Sequence, residues 1–562
     1  MKLAHSLTLA LGLGVSLWGG AAAQTLIETS AAAGISGTLD SIGGPSPSIV
    51  PQVRDRLTQI MAPANQAAAD LNGQAPAAPA SGTPAAQGPA APAAPNFPPL
   101  TSEQQGRLQA AYTALGKGNA AQATRTFEAV VSQNYRHPEA HFGLALALLA
   151  QGRTEAAKFE LGQLIALAPE RFEGPYNLGV LAVQEKRYPQ ALDFFRRAAE
   201  LARTSAGPDT QLYVLEALAA EQTRAGDYAG LRQTLGDMVA LAPGDARLQL
   251  RLAQVQTLTG EGVAALPGTY DALGNAGTRT DAALLLADIY EAQGLPDRGL
   301  SEVESALASA TSNSERARLL LRRGQLLERQ GNVKAAITAV QDSLHLNNQN
   351  APAFALLGDL RRRAGDKAGA LQAYREAAVL QPKNAGYRTE LAALRLDLGR
   401  YADARRDVAV ALKMPALTPE TRARAELVLG LLDYRSGRYA DASTSLRSSA
   451  AAVPAADTSL WLGLSEYKQK NYSAATEALS ESVRLSPTPL ARRNLASALL
   501  ASGRTAEAET LLLGLVAETP KDAEAWYLLG LTRRAAGKAA EAKVAFKTAA
   551  ALGSTAARGV LK

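Results

Sequence analysis

The feature that most constrains this chain is a sequence period of about 34 residues, which runs from about residue 104 to the C-terminus. A period of this length is typical of folds in which each repeat is a pair of helices. One such pair has too little apolar surface to be stable alone, so it buries its apolar face against the pairs before and after it. The sequence therefore predicts an all-α solenoid of stacked helical hairpins.

The two clearest copies of the repeat are Ala523–Ser554 and Ala351–Pro382. Each has a large residue, a Leu-Gly pair, a turn glycine, and then a spaced Ala, aromatic residue and Ala. The residues of the first copy are Trp526, Leu529, Gly530, Gly537, Ala542, Phe546 and Ala549, and those of the second are Phe354, Leu357, Gly358, Gly365, Ala370, Tyr374, Ala377 and Pro382. This pattern closely resembles the tetratricopeptide repeat (TPR). The resemblance covers residues 104–554, weakens in the middle, and implies a right-handed superhelix.

The same register predicts about thirteen hairpins, which begin near residues 104, 138, 172, 212, 246, 280, 317, 351, 385, 423, 456, 489 and 523. A glycine marks the turn between the two helices, where a residue without Cβ suits a tight connection. The turn glycines are Gly118, Gly152, Gly226, Gly260, Gly294, Gly331, Gly365, Gly399, Gly437, Gly503 and Gly537, and Lys stands there in two copies. An alanine in the second helix lets the two helices approach. At three repeat joints Asp245, Asn384 and Asp522 follow a proline and are predicted to cap the next helix.

The first 23 residues are predicted to be a secretory signal peptide. Lys2 precedes the apolar run Leu7–Trp18, and Ala21-Ala22-Ala23 provides an A-x-A cleavage site before Gln24. The apolar run is shorter than the roughly 20 residues needed to span a bilayer, which favours a cleaved signal over an uncleaved anchor. We therefore expect an exported protein, in the periplasm, the cell envelope or the medium.

Residues 24–100, between the signal and the repeats, divide into a leader and a linker. In the leader, 24–71, one helical face carries Val50, Val53, Leu57, Ile60 and Met61, so residues 49–71 are expected to form a short amphipathic helix. Such a helix suggests docking on a partner, on a membrane surface or on the solenoid's own groove. A marginal helix in a disordered leader is the alternative. Residues 72–100 are rich in Ala and Pro and are predicted to be a disordered, extended linker.

Composition excludes several classes of function. The chain has no cysteine, which excludes a thiol catalyst, a redox centre and lipid attachment through an N-terminal cysteine. The formal net charge of +6 is small for 562 residues, and basic and acidic residues are interleaved, so we expect no nucleic-acid partner. After the signal, no segment is long and apolar enough to span a membrane. The richness in Ala, Gly and Arg is typical of a bacterium with a GC-rich genome.

The sequence offers no support for an enzyme or for a cofactor. The segment His137-Pro138-Glu139-Ala140-His141 imitates a zinc motif, but Pro138 suits the first turn of a helix, so His137 lies at or before the helix start. Gly537-Lys538-Ala539 is a repeat turn and not a phosphate-binding loop. No Gly-x-Ser-x-Gly nucleophile motif occurs. We therefore expect a noncatalytic protein that binds no metal.

The TPR resemblance implies which residues face a partner. In that family the first helix of each repeat lines the concave groove through its second, fifth, ninth, twelfth and thirteenth positions. Near the N-terminal end these positions hold Leu108, Tyr112, Phe142, Leu146, Tyr176 and Val180, and near the C-terminal end they hold Leu427, Leu431, Tyr434, Leu460, Leu464, Tyr467 and Tyr527. A contiguous exposed apolar strip with tyrosines is typical of a surface that receives a protein. The alternative is that adjacent repeats bury some of these residues.

In the middle of the chain the same positions are basic. They hold Arg318, Arg329, Arg362 and Arg363. These arginines could bind an acidic peptide or an anionic envelope polymer through charge-assisted hydrogen bonds. Glu328, Gln325 and Asp359 share the surface, and the alternative is that they pair with the arginines.

The repeat at residues 246–279 is degenerate. Pro267-Gly268 falls inside its second helix, where proline removes a backbone hydrogen bond and glycine adds chain entropy, so this helix is expected to be shortened or broken. We predict a hinge between an N-terminal block at 101–245 and a C-terminal block at 280–562. The alternative is a rigid repeat packed through Tyr270 and Leu273.

The sequence as a whole predicts an exported, noncatalytic scaffold of the bacterial cell envelope whose groove binds an envelope protein. Pilus or secretion machinery, outer-membrane assembly and polysaccharide export are the settings that the resemblance implies. A protein that binds peptidoglycan or another anionic polysaccharide through the arginines is the second hypothesis.

Overall fold

The structure is a computed structural model that describes residues 100–415 and 417–561. Three predictions fall on residues 1–99 and therefore lie outside the described residues: the signal peptide at 1–23, the leader with its helix at 49–71, and the Ala/Pro-rich linker that follows. None of the described helices combines the length and the apolar character that crossing a lipid bilayer requires.

Within the described ranges the chain forms 27 α-helices and no β-strand. They are α1 (Ser102–Gly116), α2 (Ala120–Gln133), α3 (Pro138–Leu149), α4 (Thr154–Leu167), α5 (Glu173–Gln184), α6 (Tyr188–Ser205), α7 (Pro208–Ala225), α8 (Tyr228–Leu241), α9 (Ala246–Leu258), α10 (Gly262–Leu273), α11 (Arg279–Ala292), α12 (Pro296–Ser309), α13 (Asn313–Arg329), α14 (Val333–Leu346), α15 (Ala351–Arg363), α16 (Lys367–Leu380), α17 (Ala385–Asp397), α18 (Tyr401–Ala411), α19 (Pro419–Arg435), α20 (Tyr439–Ala452), α21 (Ala456–Lys468), α22 (Tyr472–Leu485), α23 (Pro489–Ala501), α24 (Thr505–Glu518), α25 (Ala523–Ala535), α26 (Ala539–Ala551) and α27 (Thr555–Leu561).

Helices α1 to α26 alternate as the first and second helices of the repeats, and their starts follow the predicted register. The prediction of an all-α solenoid of about thirteen hairpins is therefore confirmed. The described helices fall into two compact units, which divide between Leu295 and Pro296. The first unit holds α1 to α11 and the second holds α12 to α27. Inside each unit, every helix packs against the helix that follows it.

The turn glycines and the helix-capping residues have the conformations and contacts that the sequence predicts. All eleven turn glycines have a positive φ, between +69° and +84°, and Lys186 and Lys470 adopt the same left-handed conformation in the two remaining turns. Asp245, Asn384 and Asp522 each accept hydrogen bonds from backbone N–H groups at the start of the next helix. The turns and caps therefore fix where each helix ends and the next begins.

A glycine at the eighth position of the repeat brings the two helices of a hairpin together. In six hairpins this glycine lies against the large side chain at the twenty-fourth position, and a Cβ on it would lie only 2.5–2.7 Å from an atom of that side chain. The six pairs are Gly179 with Phe195, Gly324 with Val340, Gly358 with Tyr374, Gly430 with Leu446, Gly463 with Leu479, and Gly530 with Phe546. The repeated spacing of this glycine and a large side chain sixteen residues later thus corresponds to a direct contact.

We predict opposite effects for two glycine-to-alanine substitutions in the second unit. G530A forces a methyl group into the ring of Phe546, which is 3% exposed, and should destabilise the last hairpin by about 1–3 kcal/mol. G514A in α24, where a Cβ would meet nothing within 4 Å, should stabilise its helix by up to about 1 kcal/mol. Amide hydrogen exchange, which reads local opening free energies, measures both. Equal effects of the two substitutions would contradict the role of the glycine contact.

Helix α10 of the degenerate repeat is short but continuous. It has 12 residues and runs through Pro267, so the expectation of a shortened helix holds and that of a broken one is wrong. Pro267 cannot bond to the carbonyl of Val263, but Val263 lies on the exposed face of the helix, where water can replace the lost bond. A Cβ on Gly268 would lie 3.3 Å from the backbone oxygen of Gln249, so the glycine lets α10 approach α9.

The predicted hinge at residues 246–279 stays a prediction. These residues lie inside the first unit, and the division between the two units comes after Leu295. One contact supports the alternative of a rigid repeat: the hydroxyl of Tyr270 lies 2.7 Å from that of Tyr290.

Hydrogen exchange over residues 260–280 tests the hinge. A hinge requires faster exchange there than in α9 and α11, because its backbone hydrogen bonds must open locally. The variant P267A restores one N–H donor and should slow exchange in α10. Protection equal to that of the neighbouring helices in the unaltered chain would exclude the hinge.

Candidate protein-interaction surface

The first helices of successive repeats form one face in the second unit. In the second unit α17, α19, α21, α23 and α25 contact one another in succession, although a second helix lies between each pair in the sequence. Side chains that point from these helices toward the same side therefore form a continuous surface, which we call the first-helix face. The sequence-predicted groove residues all belong to first helices.

The apolar strip expected along this face is largely buried. Five of its residues are only 4–7% exposed: Phe142, Leu146, Tyr176, Leu431 and Leu460. The others are half-buried: Leu108, Tyr112, Val180, Leu427, Tyr434, Leu464, Tyr467 and Tyr527. The expectation of a contiguous exposed strip is therefore wrong, and the alternative, burial by adjacent repeats, holds for the first five. The binding role of the half-buried residues stays a prediction.

Aromatic contacts show how this burial arises. The ring of Tyr176 lies 5.6 Å from that of Phe195 in its own hairpin and 5.1 Å from that of Tyr213 in the next repeat. Tyr434 and Trp461, from neighbouring first helices, meet edge to face at 5.1 Å. The fifth and twelfth positions thus serve the contact between repeats as well as the surface.

A polar cluster covers the apolar residues of the first unit. The hydroxyl of Tyr112 donates to the Glu139 carboxylate, and Arg171 bridges Glu139 and Glu173 at 2.6 Å and 2.8 Å. The Arg171 guanidinium also lies 5.3 Å from the centre of the Phe142 ring. Burial, aided by Glu139, raises the pKa of Tyr112 well above its usual value, so this hydroxyl stays a donor. The cluster links three repeats and seals the residues that the sequence analysis expected to be exposed.

Arg362 and Arg363, in the middle of the chain, are paired with acids on the same face. Arg362 lies 2.8 Å from Asp359, and Arg363 lies 2.7 Å from Glu328. These acids are among those that the sequence analysis named as alternative partners, so the pairing alternative holds for both arginines. Arg318 and Arg329 are exposed. Burial raises the pKa of Asp359 despite its arginine partner.

The next repeats continue this series with an ion pair that the sequence analysis missed. Glu390, almost fully buried, lies 3.1 Å from Arg424. Burial alone would raise the pKa of Glu390, but the charge of Arg424 holds it below the usual value. Glu390 and Arg424 are 34 residues apart, and Glu328 and Arg363 are 35 apart. Opposite charges one repeat apart were therefore the signal that could have found them.

A small pocket opens on the first-helix face between α17, α19 and α21. Its apolar wall consists of Leu396, Leu427, Leu431 and Trp461. Three charged side chains stand at its rim: Asp397, Arg435 and Asp457. The pocket has room for about one or two waters. We call it the α17–α21 pocket.

The thirteenth position, at the end of the first helix, is the most accessible of the five groove positions. It is exposed in eleven of the thirteen repeats, as Gly116, Ala150, Gln184, Arg224, Ala292, Arg329, Arg363, Asp397, Arg435, Lys468 and Ala535. These residues vary in charge and size. The surface that can meet a partner is therefore narrower and more polar than the sequence analysis expected.

One histidine of the zinc-like segment, His141, has both ring nitrogens bonded within the protein. His141 is 2% exposed; its Nδ1 lies 2.6 Å from Glu160 Oε2, and its Nε2 lies 2.6 Å from the carbonyl oxygen of Tyr135. Because both partners are acceptors, the imidazolium, with two N–H donors, satisfies both. Among the described residues no group of three or more His, Asp or Glu side chains is placed to hold a metal ion.

We predict that the pKa values of His137 and His141 are shifted in opposite directions from the usual histidine value. Burial lowers the pKa of His137. Burial would also lower the pKa of His141, but its bonds to Glu160 and the Tyr135 carbonyl outweigh this and raise it. His141 should therefore stabilise the first unit fully below about pH 6.5, and this contribution should be lost as the pH rises through the folded-state pKa. NMR titration of the imidazoles measures both values. E160Q should lower the pKa of His141 and leave that of His137 nearly unchanged; an unshifted His141 would contradict the assignment.

Comparison of the sequence with models of known protein families identifies the repeats. One family model of the tetratricopeptide repeat matches residues 108–160, 160–206, 284–351, 355–419 and 427–488, and a second matches residues 466–531. Neither matches residues 207–283, which include the degenerate repeat. No curated protein matches the sequence.

Solved structures of other proteins resemble parts of the chain at low similarity. The Cut9–Hcn1 hetero-tetramer of the APC/C is 16% identical, with a TM-score of 0.38, over 77% of this chain and 96% of that one. PilF of Pseudomonas aeruginosa is 19% identical, with a TM-score of 0.35, over 38% of this chain and 96% of that one. Yeast Tom70 is 14% identical, with a TM-score of 0.30, over 69% of this chain and 93% of that one. None of these likenesses bears on function. The two family models together match more than half of the sequence, and the chain therefore belongs to the tetratricopeptide repeat family.

Proposed function

We propose that this protein is a noncatalytic scaffold of the bacterial cell envelope that binds a partner protein along its first-helix face. Membership of the tetratricopeptide repeat family supports a role in protein–protein interaction. The export of the chain rests on its N-terminal sequence, in which an apolar run ends at an A-x-A site before Gln24.

The observation that carries the proposal is the continuity of the first-helix face from α17 to α25. Five first helices from successive repeats contact one another there and present half-buried apolar side chains beside exposed charged ones. Leu464 and Tyr467 are half-buried, and Lys468, one residue further on, is exposed. An apolar centre with a polar rim is the usual anatomy of a protein interface.

The second hypothesis, a protein that binds anionic polysaccharide, loses support. It depended on Arg318, Arg329, Arg362 and Arg363. Asp359 and Glu328 already neutralise two of these arginines, so a polyanion would have to displace carboxylates that the fold holds in place.

Crosslinking and capture from an envelope fraction test the proposal. Changing Phe142 and Tyr176 to Ala would not test the proposal, because both side chains are buried and their loss would destabilise the repeats. The exposed double variant K468E/A535E instead places acids at the thirteenth position of two first helices. Its matched control, K547E/A540E, makes the same changes of charge on the exposed surface of second helix α26.

We expect one envelope protein to be captured by the unaltered chain and by the control, and to be lost with K468E/A535E. Equal capture by all three proteins would show that the partner binds somewhere other than the first-helix face. Recovery of cell-wall polymer alone would overturn the proposal in favour of polysaccharide binding.

A further inference from the structure

We propose that the α17–α21 pocket receives a lysine or arginine side chain of the partner protein. This inference rests on the proposed function and names the chemistry of one contact in it. The pocket combines two acidic side chains with an apolar wall, and its position on the first-helix face makes it accessible to a bound polypeptide.

The acids at the rim lack the ion pairs that their neighbours have. Among the described residues, neither Asp397 nor Asp457 lies within 4.0 Å of a basic group, so neither makes an ion pair. Of the cations near Asp397, Arg424 pairs with Glu390 and Arg362 pairs with Asp359, whereas Lys367 and Arg435 lower its pKa without forming an ion pair with it. The rim itself therefore carries two carboxylates against the single guanidinium of Arg435.

The titration of these acids agrees with a missing cation. Partial burial raises the pKa of Asp397 more than the surrounding basic residues lower it. Partial burial likewise raises the pKa of Asp457, which Arg424 offsets only in part. Both residues are nonetheless exposed, and neither carboxylate has a close opposite charge, so a cation from outside would supply that charge.

The wall of the pocket suits the stem of a basic side chain. Lysine and arginine place three or four methylene groups on apolar surface while the charged end reaches a polar rim. Leu427 and Leu431 would contact these methylene groups, and the half-buried indole of Trp461 can attract the cation by its ring face. A glutamate or aspartate would meet two like charges, and a purely apolar side chain would dehydrate both carboxylates without compensation.

The size of the pocket also favours a single side chain. Space for one or two waters is too small for a metabolite, whose sites typically enclose about 300–1,000 Å³. Only the end of a side chain reaching in from a bound polypeptide needs to enter this space, because most of its stem would lie along the open face.

Panning a phage-displayed library of random twelve-residue peptides tests the inference. The full chain is panned beside D397N/D457N, which removes both rim charges while keeping side-chain size. The matched control is D237N/D342N, which removes two exposed aspartates from second helices α8 and α14. Enriched peptides are then synthesised, and fluorescence anisotropy measures their dissociation constants for the three proteins.

We expect the full chain and the control to select peptides with a Lys or Arg flanked by apolar residues. Affinity for such a peptide should fall about ten-fold or more with D397N/D457N, the size of a lost charge-assisted hydrogen bond. Replacing the basic residue of the peptide by glutamine should cost a similar factor with the full chain and little with D397N/D457N, which shows that the two groups meet.

Selected peptides without a basic residue would overturn the inference and leave the proposed function standing. So would an equal loss of affinity with D397N/D457N and with the control. If none of the three proteins enriched any peptide, both the inference and a peptide-binding first-helix face would fail.

Discussion

The close approach of the two helices in each hairpin is the constraint on which the structure depends. In six hairpins a glycine at the eighth position lies directly against a large side chain at the twenty-fourth, as Gly358 does against Tyr374. Such a contact holds the hairpin together, and the hairpin then offers one apolar side to each neighbouring repeat. The eighth and twenty-fourth positions can face each other only if both helices begin and end at the right residues. The turns and caps set these helix ends.

The fold could be predicted from the sequence because each of these requirements leaves a residue type at a fixed spacing. Glycine with positive φ at the turns, alanine in the second helix and Asp or Asn at the helix starts are local needs that recur with the period. The degenerate repeat was harder to predict. Pro267 was expected to shorten or break its helix; the helix is short but unbroken, because Pro267 falls where Val263 faces solvent, and this depends on tertiary packing.

The sequence could predict which helices carry the candidate surface, but not how deeply its residues are buried. The family's positional rule correctly assigns Phe142 and Tyr176 to first helices, yet it cannot say how far the next repeat covers them. The same limit applies to charge. The arginines of α15 were visible in the sequence, whereas their pairing with Asp359 and Glu328 depends on side-chain geometry. Pairs such as Glu390 and Arg424, one period apart, show that comparing charges across repeats recovers part of it.

The accessibility of the thirteenth position has a consequence for how this protein can evolve. Most residues there are exposed at the end of a first helix, and they include Ala150, Asp397 and Lys468. Arg363, which pairs with Glu328 of the preceding repeat, is an exception. Mutation at these sites costs little folding energy, so recognition can change one repeat at a time while the scaffold is inherited intact. The same independence makes the array a natural template for grafting new specificities by exchanging single surface residues.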